Sequence, residues 1–291
     1  MSRYIPKLWP PNRKWLQWGG TLIAAILLIR LMARLNWANA WENFKTLPLS
    51  LLLLAFLMYT IGMLANVLRW HILLRTAQID IPFRETVKIV YLGAFISNYL
   101  PSTIGGDTVR FLSLLRFTSR RAVAFASVVL DRLVNLTAML TILPLSIATL
   151  APLYPFSIQI SGVVAPVIAV SGISEDYRGR LKSVPATAVR WISTGKKTFK
   201  IWFQSPRGLV RAFVVSWISI IVKFVALWLV AIGLGIPVAL YQVMGVTAIT
   251  YLITLLPISV NGYGLRELAI VAIYTMLGAT VEQATSLALI T

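Results

Sequence analysis

Cysteine is absent, histidine occurs once, at His71, and acidic residues number 9 against 27 Lys and Arg. Without cysteine there is no disulfide and no thiolate-held metal, and redox logic says nothing about the compartment. A lone imidazole cannot build a histidine-based zinc or iron centre, so no metal and no cofactor is expected. Charge as a whole is scarce, at 12% of 291 residues against 58% hydrophobic, with a mean hydropathy of +0.80. A water-soluble domain carries about a quarter charged residues, so the chain reads as an integral membrane protein. The net charge of +18 would suit nucleic acid, but the basic residues stand mostly at the ends of apolar runs. That pattern holds helices to an anionic cytoplasmic leaflet, and nucleic acid is not an expected partner.

What is present is a polar pattern set twice into apolar sequence. The first copy is Leu100-Pro101-Ser102-Thr103-Ile104-Gly105-Gly106-Asp107-Thr108-Val109-Arg110. The second is Leu256-Pro257-Ile258-Ser259-Val260-Asn261-Gly262-Tyr263-Gly264-Leu265-Arg266-Glu267. In both, a glycine follows the proline by five residues and an arginine follows it by nine. We read them as two broken helices of an internal repeat, with Pro101, Gly105, Gly106, Pro257, Gly262 and Gly264 as the expected breaks.

In chain order, Arg3, Lys7, Arg13 and Lys14 precede a first span at about 15–35, expected to be a retained helix rather than a signal peptide. A second span, Leu47 to Leu68, leads to basic residues from Arg69 to Lys88, where Arg69 and His71 read as interface anchors. Ile89 to Leu100 covers only about 18 Å of an apolar core about 30 Å thick, so it cannot cross alone. If it enters, turns at the glycines and leaves by the same face, the basic flanks on both sides stay cytoplasmic. Ala122 to Leu145 crosses, with Asp131 and Arg132 near mid-depth, and Pro152 to Gly172 returns. Ser174 to Arg211 carries nine Lys or Arg against two acids and is expected in the cytoplasm. Within it, 189–203 mixes Lys and Arg with Trp and Phe, as a helix on an anionic leaflet surface does. Ala212 to Gly233 crosses with Lys223 inside it, and a second hairpin follows from the opposite face. Val281 to Thr291 is apolar but too short to span, so it is expected to be interfacial or the start of a longer helix.

The expected fold is therefore an all-α polytopic membrane protein, an inverted repeat with two re-entrant broken-helix hairpins. It forms one transmembrane domain over 1–291, with repeat-like halves at about 47–145 and 210–291 and a basic loop at 174–211. The expected location is the inner or plasma membrane, with the N-terminus cytoplasmic.

At Asn98 through Arg110, at Asp131-Arg132, and at Leu256 through Glu267, the chain resembles the lysylphosphatidylglycerol synthase transmembrane-region family, the flippase-like proteins. The resemblance runs from about Leu47 to Leu277. It implies a multi-pass bacterial or archaeal inner-membrane protein related to the part of bifunctional synthases that moves an aminoacylated lipid between leaflets. The sequence departs from the family pattern in having Asp131-Arg132 where Glu-Arg is expected. The aminoacyl-transfer domain is not in this sequence, so lysyl-lipid synthesis is not implied.

Seven ionisable residues fall at membrane depth: Asp107, Arg110, Asp131, Arg132, Lys223, Arg266 and Glu267. Each costs at least about 2.5 kcal/mol to place there, so each needs a reason. Neighbours on a helix point different ways, so Asp131 and Arg132 must pair with other elements, Asp131 with Arg110 or Lys223 and Asp107 with Arg132. Arg110, Arg132, Lys223 and Arg266 are the candidate ligands of a lipid phosphate, which guanidinium groups grip in two-pronged fashion. Asp107, Asp131 and Glu267 are their charge partners. The plainer alternative is an ion network that locks the hairpins and binds nothing. No catalytic residue is assigned. The expected function is binding or moving an anionic-headgroup lipid. A membrane enzyme acting on a lipid phosphate, a scaffold for a separate lipid or glycan synthase, and a homo-oligomer stay open.

Overall fold

The structure is a computed structural model that describes Lys45 and residues 47–99, 103–151, 198–255 and 264–290. The expected spans at 15–35 and 152–172, most of the basic segment, and Pro101, Pro257 and Gly262 lie outside the described residues. Among the described residues all regular structure is helical. Lipid offers no hydrogen bonds to a backbone, so an apolar chain of this length satisfies its own N–H and C=O groups as helix. The helices are α1 (Leu49–Thr76), α2 (Phe83–Tyr99), α3 (Thr103–Leu114), α4 (Arg121–Leu140), α5 (Leu143–Leu150), α6 (Pro206–Gly233), α7 (Leu240–Leu255), α8 (Leu265–Met276) and α9 (Val281–Ile290). A short helical stretch also covers 198–203.

Among the described residues three stretches are long and apolar enough to cross a membrane: α1, α6, and α4 with α5. The first two have 28 residues each, about 42 Å at the usual rise. They form the most extensive helix pair, and they run antiparallel. Leu47 lies against Gly233, Gly62 against Ser219, Arg69 against Ser216, and Thr76 against Gly208. Both also end alike. Gln78 and Gly235 take left-handed φ of 56° and 73°, and the next N–H reaches five residues back, Ile79 to Leu74 O and Ile236 to Ala231 O, each at 3.0 Å. That is the 6→1 bond of a Schellman stop.

After each long helix comes a pair of short ones. α2 and α3 have 17 and 12 residues, α7 and α8 have 16 and 12, and none of the four is long enough to cross alone. Within each pair the two helices pack together. The first pair touches most closely at Gly93 and Gly106. A Cβ on Gly106 would run into the Gly93 carbonyl and the Ser97 hydroxyl.

This corrects the expected role of two glycines. Gly105 and Gly106 sit inside α3, which begins at Thr103, so they do not make the turn; Gly106 lets two backbones approach. In the second copy Gly264 does stand at the break, with φ of 80° at the head of α8, a conformation a side chain would strain.

α2 and α3 pack through α1 and α4, whereas α7 and α8 pack with α9. α5 is tied to α7, where Ser146 donates to Gly245 O at 2.7 Å. At 198–203, Trp202 is fully buried and its indole N–H donates to Leu73 O at 2.8 Å. This end of the basic segment therefore packs on α1, while Phe203 faces outward.

Candidate functional site

The site is built where α1, α3 and α4 meet. Asp131, in the middle of α4, has 2% of its surface exposed and holds two arginines from two other helices. Arg69 donates from Nε to Asp131 Oδ1 at 2.7 Å, and Arg110 from Nη2 to Asp131 Oδ2 at 2.7 Å. Arg69 Nη1 also donates to Asn135 Oδ1 at 2.7 Å and to Ser216 Oγ on α6 at 3.3 Å. Asn135 lies one turn beyond Asp131 on α4, so both reach the same guanidinium. Arg110 Nη1 stands 3.6 Å from Asp107 Oδ1, one turn back on α3, and Asp107 also pairs with Arg132 Nε.

The chain of charges is graded in depth. Side-chain exposure is 4% for Arg69, 12% for Arg110, 21% for Asp107 and 45% for Arg132. The network thus leads from the buried interior of the bundle to the exposed Arg132. Among the described residues three guanidinium groups meet two carboxylates, a surplus of one positive charge.

Arg110 is held from two further sides. Its stem lies across Gly93, where an added Cβ would come within 2.8 Å of Cγ, and its guanidinium stacks 4.3 Å from the centre of the Trp70 ring. A desolvated contact of that kind contributes about 2 kcal/mol. Two N–H groups here are buried without an acceptor, Arg110 Nε and Trp70 Nε1. A buried donor left unmade costs about 1–3 kcal/mol.

Lys223 sits two turns past Ser216 on the same side of α6, its stem on Gly62, where an added Cβ would be 2.6 Å from Lys223 Cγ. Among the described residues it forms no ion pair. Glu267 is spoken for by the backbone: its carboxylate accepts the Gly264 N–H at 2.6 Å and caps α8. Arg266 lines a different cleft, with Leu227, Thr247, Thr250, Ile270 and Tyr274.

The structure thus joins Asp107, Arg110, Asp131 and Arg132, sets Lys223 on the α6 face behind them, and puts Arg266 among the residues of the other apolar cluster. Arg69, expected at the interface, is instead buried at the centre, with Trp70, Asn135 and Ser216 around it. The available signal was on α6, where Ser216, Ser219 and Lys223 make one polar stripe on an apolar helix and require a polar partner helix.

A family model for the lysylphosphatidylglycerol synthase TM region matches residues 17–291. The chain belongs to that family. It is also similar to UPF0104 membrane protein PH1989 of Pyrococcus horikoshii, at 27% identity over 158 residues, covering 52% of this chain and 45% of that protein. The chain therefore matches less than half the length of that relative. Membership makes this family member a multi-pass membrane protein and fits a lipid-related role in the membrane.

Proposed function

We propose that the protein binds a lipid with an anionic headgroup at the Arg69–Asp131–Arg110 network and carries it between leaflets. The supporting observation is the pairing of surplus positive charge with unmet donors. Three arginines face two aspartates, while Arg110 Nε and Trp70 Nε1 lie buried without acceptors. A network serving only to lock helices would be expected to balance its charge and close its hydrogen bonds. A phosphate brings one negative charge and several acceptor oxygens. Arg132, the most exposed member, would meet the headgroup first, and Arg110 would take it inward.

The inverted repeat belongs to the same proposal. Antiparallel α1 and α6, followed by short-helix pairs of nearly equal length, are what two halves of opposite orientation require, and such halves support alternating access. The test is leaflet exchange of a labelled anionic lipid in proteoliposomes. Wild type should exceed empty vesicles, and Arg110→Ala should abolish the excess. Equal exchange in wild type, variant and empty vesicles would end the proposal.

A further inference from the structure

Arg69, Arg110 and Arg132 keep their protons at any working pH, because a guanidinium in a protein does not give one up. Lys223 stands near them and can. It is partly buried in the second half of α6, and among the described residues neither a hydrogen bond nor an ion pair holds its ammonium. Its stem lies along Gly62 of α1, where an added Cβ would come within 2.6 Å of Lys223 Cγ and 3.3 Å of Cε. The Gly62 carbonyl is already taken by the Ser219 hydroxyl at 2.7 Å. A long side chain on a helix leans toward the preceding turn, here toward Ser219 and Ser216, and Ser216 is where Arg69 is held.

The charges that reach Lys223 come from the network. α6 packs against α1, α4 and α7. From α1 Arg69 repels the ammonium and from α4 Asp131 attracts it, but both oxygens of Asp131 are already bonded to arginines. α7 carries no acid, lysine, arginine or histidine, only the phenols of Tyr241 and Tyr251, and Arg207 and Arg211 lie in the first two turns of α6. With Lys223 charged, four cations among the described residues face two carboxylates. A proton on Asp107 or Asp131 would only enlarge that surplus. Of these groups, Lys223 is the one through which the surplus can be reduced in the absence of a bound anion.

We infer that lipid binding at the network is linked to a proton at Lys223: the amine is protonated as an anionic headgroup enters, and it returns its proton to water as the headgroup leaves. The inference rests on the proposed function for the ligand, and on the placement of Lys223 for the proton. A pH difference between the two sides of the membrane would then favour loading on the acidic side and release on the alkaline one.

The test titrates the purified full chain in a neutral detergent with phosphatidylglycerol from about pH 6 to about pH 10, where an amine can change charge and a guanidinium cannot. The headgroup is a phosphodiester, whose charge is constant over that range. Wild type should lose about tenfold in affinity from the acidic to the alkaline end. At the midpoint of that fall, lipid added in weak buffer should cause proton uptake. Lys223→Arg fixes the charge and Lys223→Met removes it. Both should bind with an affinity that no longer follows pH, the first more tightly than the second, and neither should take up a proton. If Lys223→Arg melts earlier than wild type without lipid, because its larger head is crowded at Gly62, Lys223→Met carries the comparison. A wild-type affinity that is constant with pH, or a fall that persists unchanged in Lys223→Met, overturns the proton link and leaves the lipid site standing. Wild type that binds no phosphatidylglycerol at any pH overturns both.

Discussion

Asp131 is shared by two arginines, and that sharing sets the sensitivity of the site. Asp131→Asn keeps the shape and removes the charge, leaving Arg69 and Arg110 buried without a counter-ion. Loss of one partner of a buried pair costs about 3–5 kcal/mol, so the variant should show a sharp fall in melting temperature in detergent. Arg69→Lys keeps the charge but cannot span Asp131, Asn135 and Ser216 at once. It should fall between wild type and Asp131→Asn in the same melt, and a melt equal to wild type would show that the fork geometry is not needed. All seven charges placed at membrane depth were legible as charges needing partners, because cost alone demands it. Arg69 was not among them. It follows directly on an apolar run that is already long enough to span, so in the sequence the run reads as ending there, and only the continuation of α1 to Thr76 brings it inside.

At the scale of elements, the hairpins were legible from a proline placed too early for a crossing, but the part each glycine plays was not. A glycine pair inside apolar sequence reads equally as a turn or as a place where helices touch, and only the partner backbone decides. Gly106→Ala should force α2 and α3 apart, because the obstacle is the Gly93 carbonyl rather than a movable side chain end. Overpacking of this kind costs about 1–3 kcal/mol, and a melt unchanged from wild type would contradict the close approach. The pairing of α1 with α6 can be checked without background, since the chain has no cysteine. Thr76 Cβ lies 3.1 Å from where a Cβ on Gly208 would stand, near the roughly 3.8 Å of a disulfide. Thr76→Cys with Gly208→Cys should therefore crosslink on mild oxidation, whereas Thr76→Cys with Gly233→Cys should not.

At the scale of the molecule, the account divides the surface from the seam. Leu49, Leu53, Phe56 and Leu57 on α1 point outward, as side chains facing lipid do, while the opposite side of α1 carries Gly62 and Arg69 into α6 and α4. Composition made the membrane class legible, and helix parity made the opposed sense of α1 and α6 legible. The separation of Arg266 from Arg110 was not, since identical spacing in two motifs says nothing about whether their arginines share one chamber. The central claim is that the network's surplus positive charge is met by a lipid phosphate. Native mass spectrometry of the purified chain, released gently from membranes, tests it most directly. An anionic phospholipid should remain bound to wild type and be lost from Arg110→Gln; retention of zwitterionic lipid alone, or equal retention of anionic lipid in both proteins, would contradict the account.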